Sequence, residues 1–135
     1  MSQENVRVVR SFLDHAREDP AAWDIFDEDV VWEVGGLAIP DVPATFRGAD
    51  GVREFFRRWV GAFEDWAYEV EEVIDARDAV AVHLHQWGRG KGSGATVDLH
   101  FWEVWIVRDG RVVRVTHWVD KADALEAAGL SGSQK

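Results

Sequence analysis

Residues 101–120 read FWEVWIVRDGRVVRVTHWVD, two apolar, aromatic strands around an Arg-Asp-Gly turn. A hairpin this hydrophobic belongs in an interior, so the rest of the chain has to cover it. One carboxylate, Glu103, and one imidazole, His117, interrupt it. Unpaired ionisable groups are costly there. The two residues therefore need either satisfied partners or a chemical task, and which it is depends on whether they point to the same side of the sheet.

Two turns suit Arg-Asp-Gly-Arg. A two-residue loop, Asp109-Gly110, pairs Arg108 with Arg111, which sets Trp102 opposite His117 and Glu103 opposite Thr116. Glu103 then shares a face with Arg114, a surface ion pair worth little. A three-residue loop, Arg108-Asp109-Gly110, ends in a glycine bulge and pairs Val107 with Arg111. Glu103 then faces Val115 and lies diagonal to His117, with Trp105 beside them. One residue of slip separates a surface salt bridge from a buried acid–base pair, and these residues alone leave both open.

At 135 residues the chain is one domain able to bury one core, read here as 1–130, with 131–135 (SGSQK) as a disordered tail. No run of ~18 apolar residues spans a membrane, and the N-terminus shows no signal-peptide pattern. Cysteine is absent, which excludes disulfides and thiolate metal sites and fits a cytoplasmic location. A net charge of −10 argues against nucleic acid or an anionic membrane as partner, because both need a basic face. The eight tryptophans require either a large core or extra buried surface.

Residues 3–18 place Val6, Val9, Phe12, Leu13 and Ala16 at helical spacing, with Pro20 ending the segment. Asp19-Pro20 is an N-cap and first-turn proline for a short helix with Trp23 and Phe26. Val30–Val34 reads as a short strand and Gly35–Pro43 as an irregular loop. Gly48–Phe63 is a strong amphipathic helix bearing Val52, Phe55, Phe56, Trp59 and Phe63. Strands follow at Tyr68–Ile74, Val80–Trp87, Thr96–Val107 and Arg111–Asp120, then a short helix with Gly129 as its cap. In VAVHLHQW, Val80, Val82 and Leu84 face one way while Ala81, His83, His85 and Trp87 face the other. The glycines of GRGKGSG lack the strand–loop–helix context of a phosphate loop, so it reads as a hairpin tip. The pattern is α+β: two or three N-terminal helices on a curved antiparallel meander, closed by a short C-terminal helix.

WIVRDGRVVRV followed by VDKADALEAAGL, with FRGADGVREFFRRW as a second anchor, resembles the SnoaL-like group of the nuclear-transport-factor-two-like superfamily. Ketosteroid isomerase and the polyketide cyclases belong to it. The resemblance implies a cone-shaped sheet closed by helices, an internal apolar pocket, and a homodimer through the convex face, where Trp102 and Trp118 would meet a second subunit. It also implies a pocket carboxylate at Glu103 and hence the bulged register. Phe101, Glu103, Trp105, Val113, Val115, His117 and Val119 would then face the pocket.

Glu103 and His117 are thus the candidate catalytic pair, the carboxylate orienting the imidazole for proton transfer. The dull alternative is a satisfied pair that fixes the strand register. The resemblance turns His83 and His85 inward, so that they and His117 border one cavity. Such a set can hold zinc, but the superfamily works mostly without metal, and a hydrogen bond to ligand is the expectation, with no metal and no cofactor. Trp32, Trp59, Phe63, Trp105, Phe12, Val34 and Val115 are the candidate lining, while Trp23 and Trp66 read as core. Phe12 and Val34 stand where ketosteroid isomerase has its tyrosine and aspartate; neither can move a proton, so that mechanism is not expected. The expected function is a cofactor-independent isomerase, cyclase or hydrolase acting on a small apolar molecule. The alternative is a domain that binds such a molecule without chemistry.

Overall fold

The computed structural model describes residues 2–39 and 41–130. The helix α1 (Ser2–His15) buries Val9, Phe12 and Leu13 along one face. A short 3₁₀ helix, Pro20–Ile25, follows, and the Asp19 carboxylate accepts from the Ala21 N–H at 3.0 Å. This is the anticipated cap. Phe26 lies outside that helix and opens β1 (Phe26–Glu33), which is longer than the strand expected there. The loop behind it contains a 3₁₀ turn, Gly35–Leu37, and Pro40 lies outside the described residues. The strand β2 (Thr45–Arg47) is not apparent in the sequence, being too short to show a period.

The second helix, α2 (Gly48–Gly61), stops before Phe63, which instead opens β3 (Phe63–Asp75). The meander continues through β4 (Ala79–Gly90), β5 (Thr96–Arg108) and β6 (Arg111–Trp118). The last helix is α3 (Lys121–Ala127). Gly129, at φ 90°, ends it: its N–H reaches the Glu126 carbonyl at 3.0 Å and the Leu130 N–H reaches Leu125 at 2.8 Å. These paired bonds define a left-handed helix end that glycine adopts without steric cost. Residues 131–135, read as a tail, lie outside the described residues.

The six strands form one curved, open sheet in the order β2-β1-β6-β5-β4-β3. All neighbours are antiparallel except β1 and β6, which run parallel, so β1 extends the meander rather than continuing it. On the concave face α1 and α2 pack against Val80, Val82, Leu84, Phe101, Trp105 and Val115. On the convex face α3 lays Ala124 and Ala128 over Ala79, Ala81, Trp102 and Val104.

That second cluster changes the meaning of the outward tryptophans. Trp102 is only 4% exposed within a single chain. Lys121 Nζ stands 5.4 Å from the centre of its ring, and Trp118, beside it, donates to Thr116 Oγ1 at 2.8 Å. The chain's own C-terminal helix thus covers Trp102, while Trp118 is only partly buried. No helix among the described residues is long and apolar enough to cross a membrane.

Candidate functional site

The β5–β6 turn is the two-residue form. Asp109 and Gly110 both have positive φ, 52° and 77°, and Arg108 pairs with Arg111. Val107 pairs with Val112, but Ile106 then pairs with Arg114, leaving Val113 as an extra residue in β6. This β-bulge shifts every later pair by one, so Glu103 stands directly opposite His117. Neither turn drawn from the sequence gives that pairing. The two-residue loop is correct for the turn and the inward facing is correct for the pair, but the slip comes from inside the strand and in the opposite direction. Val112 accordingly points into the core, Val113 is only partly buried, and Val119, expected in the pocket, is 61% exposed.

Glu103 and His117 are 4% and 3% exposed, and Glu103 Oε2 lies 3.1 Å from His117 Nε2. The other imidazole nitrogen, Nδ1, lies 2.7 Å from the backbone carbonyl of Glu33, next in the sheet on β1. A carbonyl oxygen only accepts, so Nδ1 carries a proton and donates it. Nε2 and Oε2 then share one further proton between them. The remaining carboxylate oxygen, Oε1, accepts from Trp105 Nε1 at 2.9 Å; two residues apart on one strand, these side chains share a face. Trp32 packs edge-on against the imidazole at 4.9 Å. Glu33 itself turns the other way and meets Arg114 Nη2 at 2.6 Å.

A cavity of about 590 Å³ opens between α1, the 3₁₀ helix, α2 and the concave sheet. Glu103, Trp105, Leu84 and Gln86 form its base, with Phe12, Phe56, Trp23, Trp66 and Tyr68 as walls. Exposed Arg17, Arg53, Arg57, Glu18 and Asp19 surround its mouth. Arg17 stands over the Trp66 ring and Arg53 over the Trp23 ring, at 5.4 and 5.2 Å. The Gln86 oxygen accepts from Trp59 Nε1 at 2.8 Å, which leaves its NH₂ end available to a ligand. Val82 pairs with Glu103, and Gln86 lies four residues further along β4. At about 3.3 Å per residue the two polar groups therefore mark points roughly 13 Å apart on the cavity base.

Tyr68 is the only tyrosine, and its hydroxyl donates to the Leu13 carbonyl. Burial, with a smaller contribution from negative charge on Glu103, pushes its phenol up to about 12. The neutral phenol thus contributes stability that is complete below its ordinary value near 10 and lost as pH rises toward 12. Absorbance of the folded chain should show a single phenolate ionisation near 12. A midpoint near 10 would mean the side chain is solvated.

Residues 8–115 match the family model of the SnoaL-like domain. The chain belongs to the SnoaL-like family. Among solved structures, TerC co-crystallised with polyporic acid has a TM-score of 0.71 at 22% identity, over 93% of this chain and 98% of that one. A protein from Jannaschia sp. CCS1, provisionally named a SnoaL-like polyketide cyclase, gives 0.73 at 19% identity, over 93% and 92% of the two chains. A nuclear-transport-factor-two-like protein from Burkholderia xenovorans LB400 gives 0.73 at 23% identity, over 93% and 96%. At these identities the likeness establishes the fold alone. No curated protein matches the chain.

Within this SnoaL-like chain the expected site residues do not all come together. Glu103, Trp105 and Phe12 line the cavity. Trp32, Val34 and Val115 are fully packed in the core behind it, as is His117, and Trp59 and Phe63 border a smaller crevice with Gln86. His83 and His85 belong to neither. The resemblance implies an inward orientation for them; in the structure Val80, Val82, Leu84 and Gln86 take the concave face, so both imidazoles lie on the convex side. The set His83, His85 and His117 is consequently not assembled. Asp98 raises the His85 imidazole above its ordinary value through a 3.0 Å contact; desolvation opposes this and Glu69 adds to it.

Trp23 and Trp66, which the sequence reads as core, are packed there, Trp66 buried and Trp23 partly so, and they also line the cavity, together with Tyr68 and Gln86. One signal for the latter pair was available. Gln86 continues the inward series Val80, Val82, Leu84, and a glutamine at the end of such a series is a polar group pointing inward. Nothing local marks Trp23 or Trp66, because the cavity wall they form comes from tertiary packing.

Proposed function

We propose that this SnoaL-like protein takes a small, largely apolar molecule into the 590 Å³ cavity and moves a proton on it without a cofactor, with Glu103 as the group that does so. The observation supporting this most directly is that Glu103 is a deeply buried carboxylate at the base of an apolar cavity. The roles within the pair are then the reverse of the sequence expectation. His117 lies behind Glu103 with both nitrogens engaged by protein, so it positions the carboxylate and exchanges a proton with it rather than touching substrate. Each Glu103 oxygen accepts one hydrogen bond and keeps a second lone pair, enough for a general base. Gln86 would bind a polar group at the ligand's far end. The reaction class this suits is proton abstraction beside a carbonyl, as in an isomerisation or a ring closure.

One observation favours a second reading. Both nitrogens of His117 and both oxygens of Glu103 already have partners, as a purely structural pair would. On that reading the cavity binds its ligand and releases it unchanged.

Glu103→Gln separates the two, since glutamine keeps the shape and can still accept from Trp105 while donating to His117. Compounds that quench tryptophan emission in the wild type would first be identified, and Trp23, Trp66 and Trp105 in the cavity wall make emission a direct reporter. TerC was crystallised with polyporic acid, which makes that compound a reasonable first member of the set. For a converted compound, Glu103→Gln should reduce turnover by about 10²–10⁴-fold with binding retained. Full activity in that variant would refute the role of Glu103. Tight binding of many compounds with none converted would favour the second reading.

A further inference from the structure

We propose that the convex face carries a site for a divalent first-row transition metal, with His85 Nε2, His100 Nε2 and Asp98 Oδ1 as the protein ligands. The topology brings these residues together. His85 on β4 pairs directly with His100 on β5, and Asp98, two residues before His100, shares its face. Asp98 Oδ1 stands 3.0 Å from His85 Nε2 and 3.5 Å from His100 Nε2. With metal–ligand bonds of about 2.0–2.1 Å, donors in a tetrahedral shell lie about 3.3 Å apart. The three donor atoms all fall within 4.8 Å of one another. Because the two imidazoles stack nearly parallel at 4.2 Å and 5°, closing the shell asks one ring to turn out of the stack so that both lone pairs meet on the ion.

The far side of each imidazole supplies an independent reason. His85 Nδ1 is 3.4 Å from Glu69 Oε1, and His100 Nδ1 is 3.5 Å from Glu71 Oε1. A histidine bound to a metal through one nitrogen characteristically donates its other N–H to a carboxylate, which fixes the tautomer and raises ligand basicity. Here His85 has that backing as a hydrogen bond to Glu69, His100 has Glu71 at ion-pair distance, and both turn Nε2 toward the same third carboxylate. The Glu71 contact depends on a local irregularity: the β3–β4 register shifts between Val70 and Glu72, and Glu71 reaches across β4 to His100 on β5. The neighbouring His83, stacked on Trp102 at 4.8 Å and 9°, falls in a second group with Glu71 and His100 and does not share Asp98, so replacing it tells the two groups apart. A set of two imidazoles and a carboxylate, without thiolate, suits Zn²⁺, Co²⁺ or Ni²⁺ rather than a soft ion, and leaves coordination positions for water.

The test uses the untagged full chain, stripped with chelator, titrated with Co²⁺ by visible absorption and with Zn²⁺ by calorimetry. One ion per chain is expected. His100→Ala and Asp98→Asn should each weaken binding by more than about tenfold, and Glu69→Gln or Glu71→Gln by about tenfold. His83→Ala should leave binding within about twofold, since its ring lies outside the set. Far-ultraviolet circular dichroism checks that each variant is folded, and Asp98→Asn, nearly isosteric and exposed, serves if His100→Ala is not. Absence of stoichiometric binding by the wild type would overturn the site. So would unchanged binding in Asp98→Asn, or a loss in His83→Ala as large as that in His100→Ala.

Discussion

His117→Ala should destabilise the chain by about 3–5 kcal/mol, the range found when one member of a buried pair is removed. Three losses contribute. Glu103 keeps its bond from Trp105 but loses its partner at Oε2, and remains only 4% exposed. The Glu33 carbonyl loses the Nδ1 donor that ties β1 to β6 through a side chain. The vacated ring volume leaves Trp32 without the edge contact at 4.9 Å. Against a typical domain stability of about 5–15 kcal/mol, the change is large enough to move a urea midpoint far down. Glu103→Gln should cost much less, about 1–2 kcal/mol, because hydrogen bonds to Trp105 and His117 are still possible. Equal destabilisation by the two variants would mean that the pair is not held as described.

The second large effect comes from a residue without a side chain. A Cβ on Gly36 would stand 2.0 Å from the His117 carbonyl oxygen and 3.1 Å from its carbon. Both are backbone atoms of β6 and cannot swing aside, so either the 3₁₀ turn or the strand must move. Gly36→Ala should therefore cost about 3 kcal/mol or more, the upper end for overpacking. Gly61→Ala is the internal control: nothing lies within 4 Å of its added methyl, and alanine is the better helix former. Chemical denaturation of both variants should show Gly36→Ala strongly destabilised and Gly61→Ala unchanged or slightly more stable. Residues 33–36 thus hold His117 twice, by the Glu33 carbonyl on its ring and by close approach of Gly36 to its backbone.

The helices and the four-strand meander were legible because their signals are local. Apolar spacing in α1 and in α2 up to Trp59, Asp19-Pro20 and Gly129 each act over a few residues, and each stands where the pattern put it. At Asp109-Gly110, by contrast, the chain takes the two-residue turn and not the three-residue bulged loop that the resemblance favours. The parallel β1–β6 pairing was not legible, since it joins segments far apart in sequence and nothing local encodes it. The site divides along the same line. That Glu103 faces inward followed from the family likeness, alternation having left both faces open, and its direct partner depends on Val113, an extra residue inside an unbroken run of strand-forming side chains. His83 and His85 show the complementary error. Alternation correctly gave them a common face, but which face that was required knowing what covers each side of the sheet.

Val113 also bears on how chains of this kind should be aligned. In a regular ladder the partner of any residue follows by counting back from the turn, and two hairpins with the same turn can be superposed without gaps. Here that arithmetic fails after Val112, and it reverses the parity of everything beyond. A relative without the insertion, aligned from the turn without gaps, would carry in the His117 column a residue that faces away from the cavity, and its true counterpart of His117 one position earlier. Matching identical letters therefore does not establish an equivalent imidazole. The ladder offset has to be matched first, because a chain lacking only Val113 would form a regular ladder and still set Glu103 opposite His117.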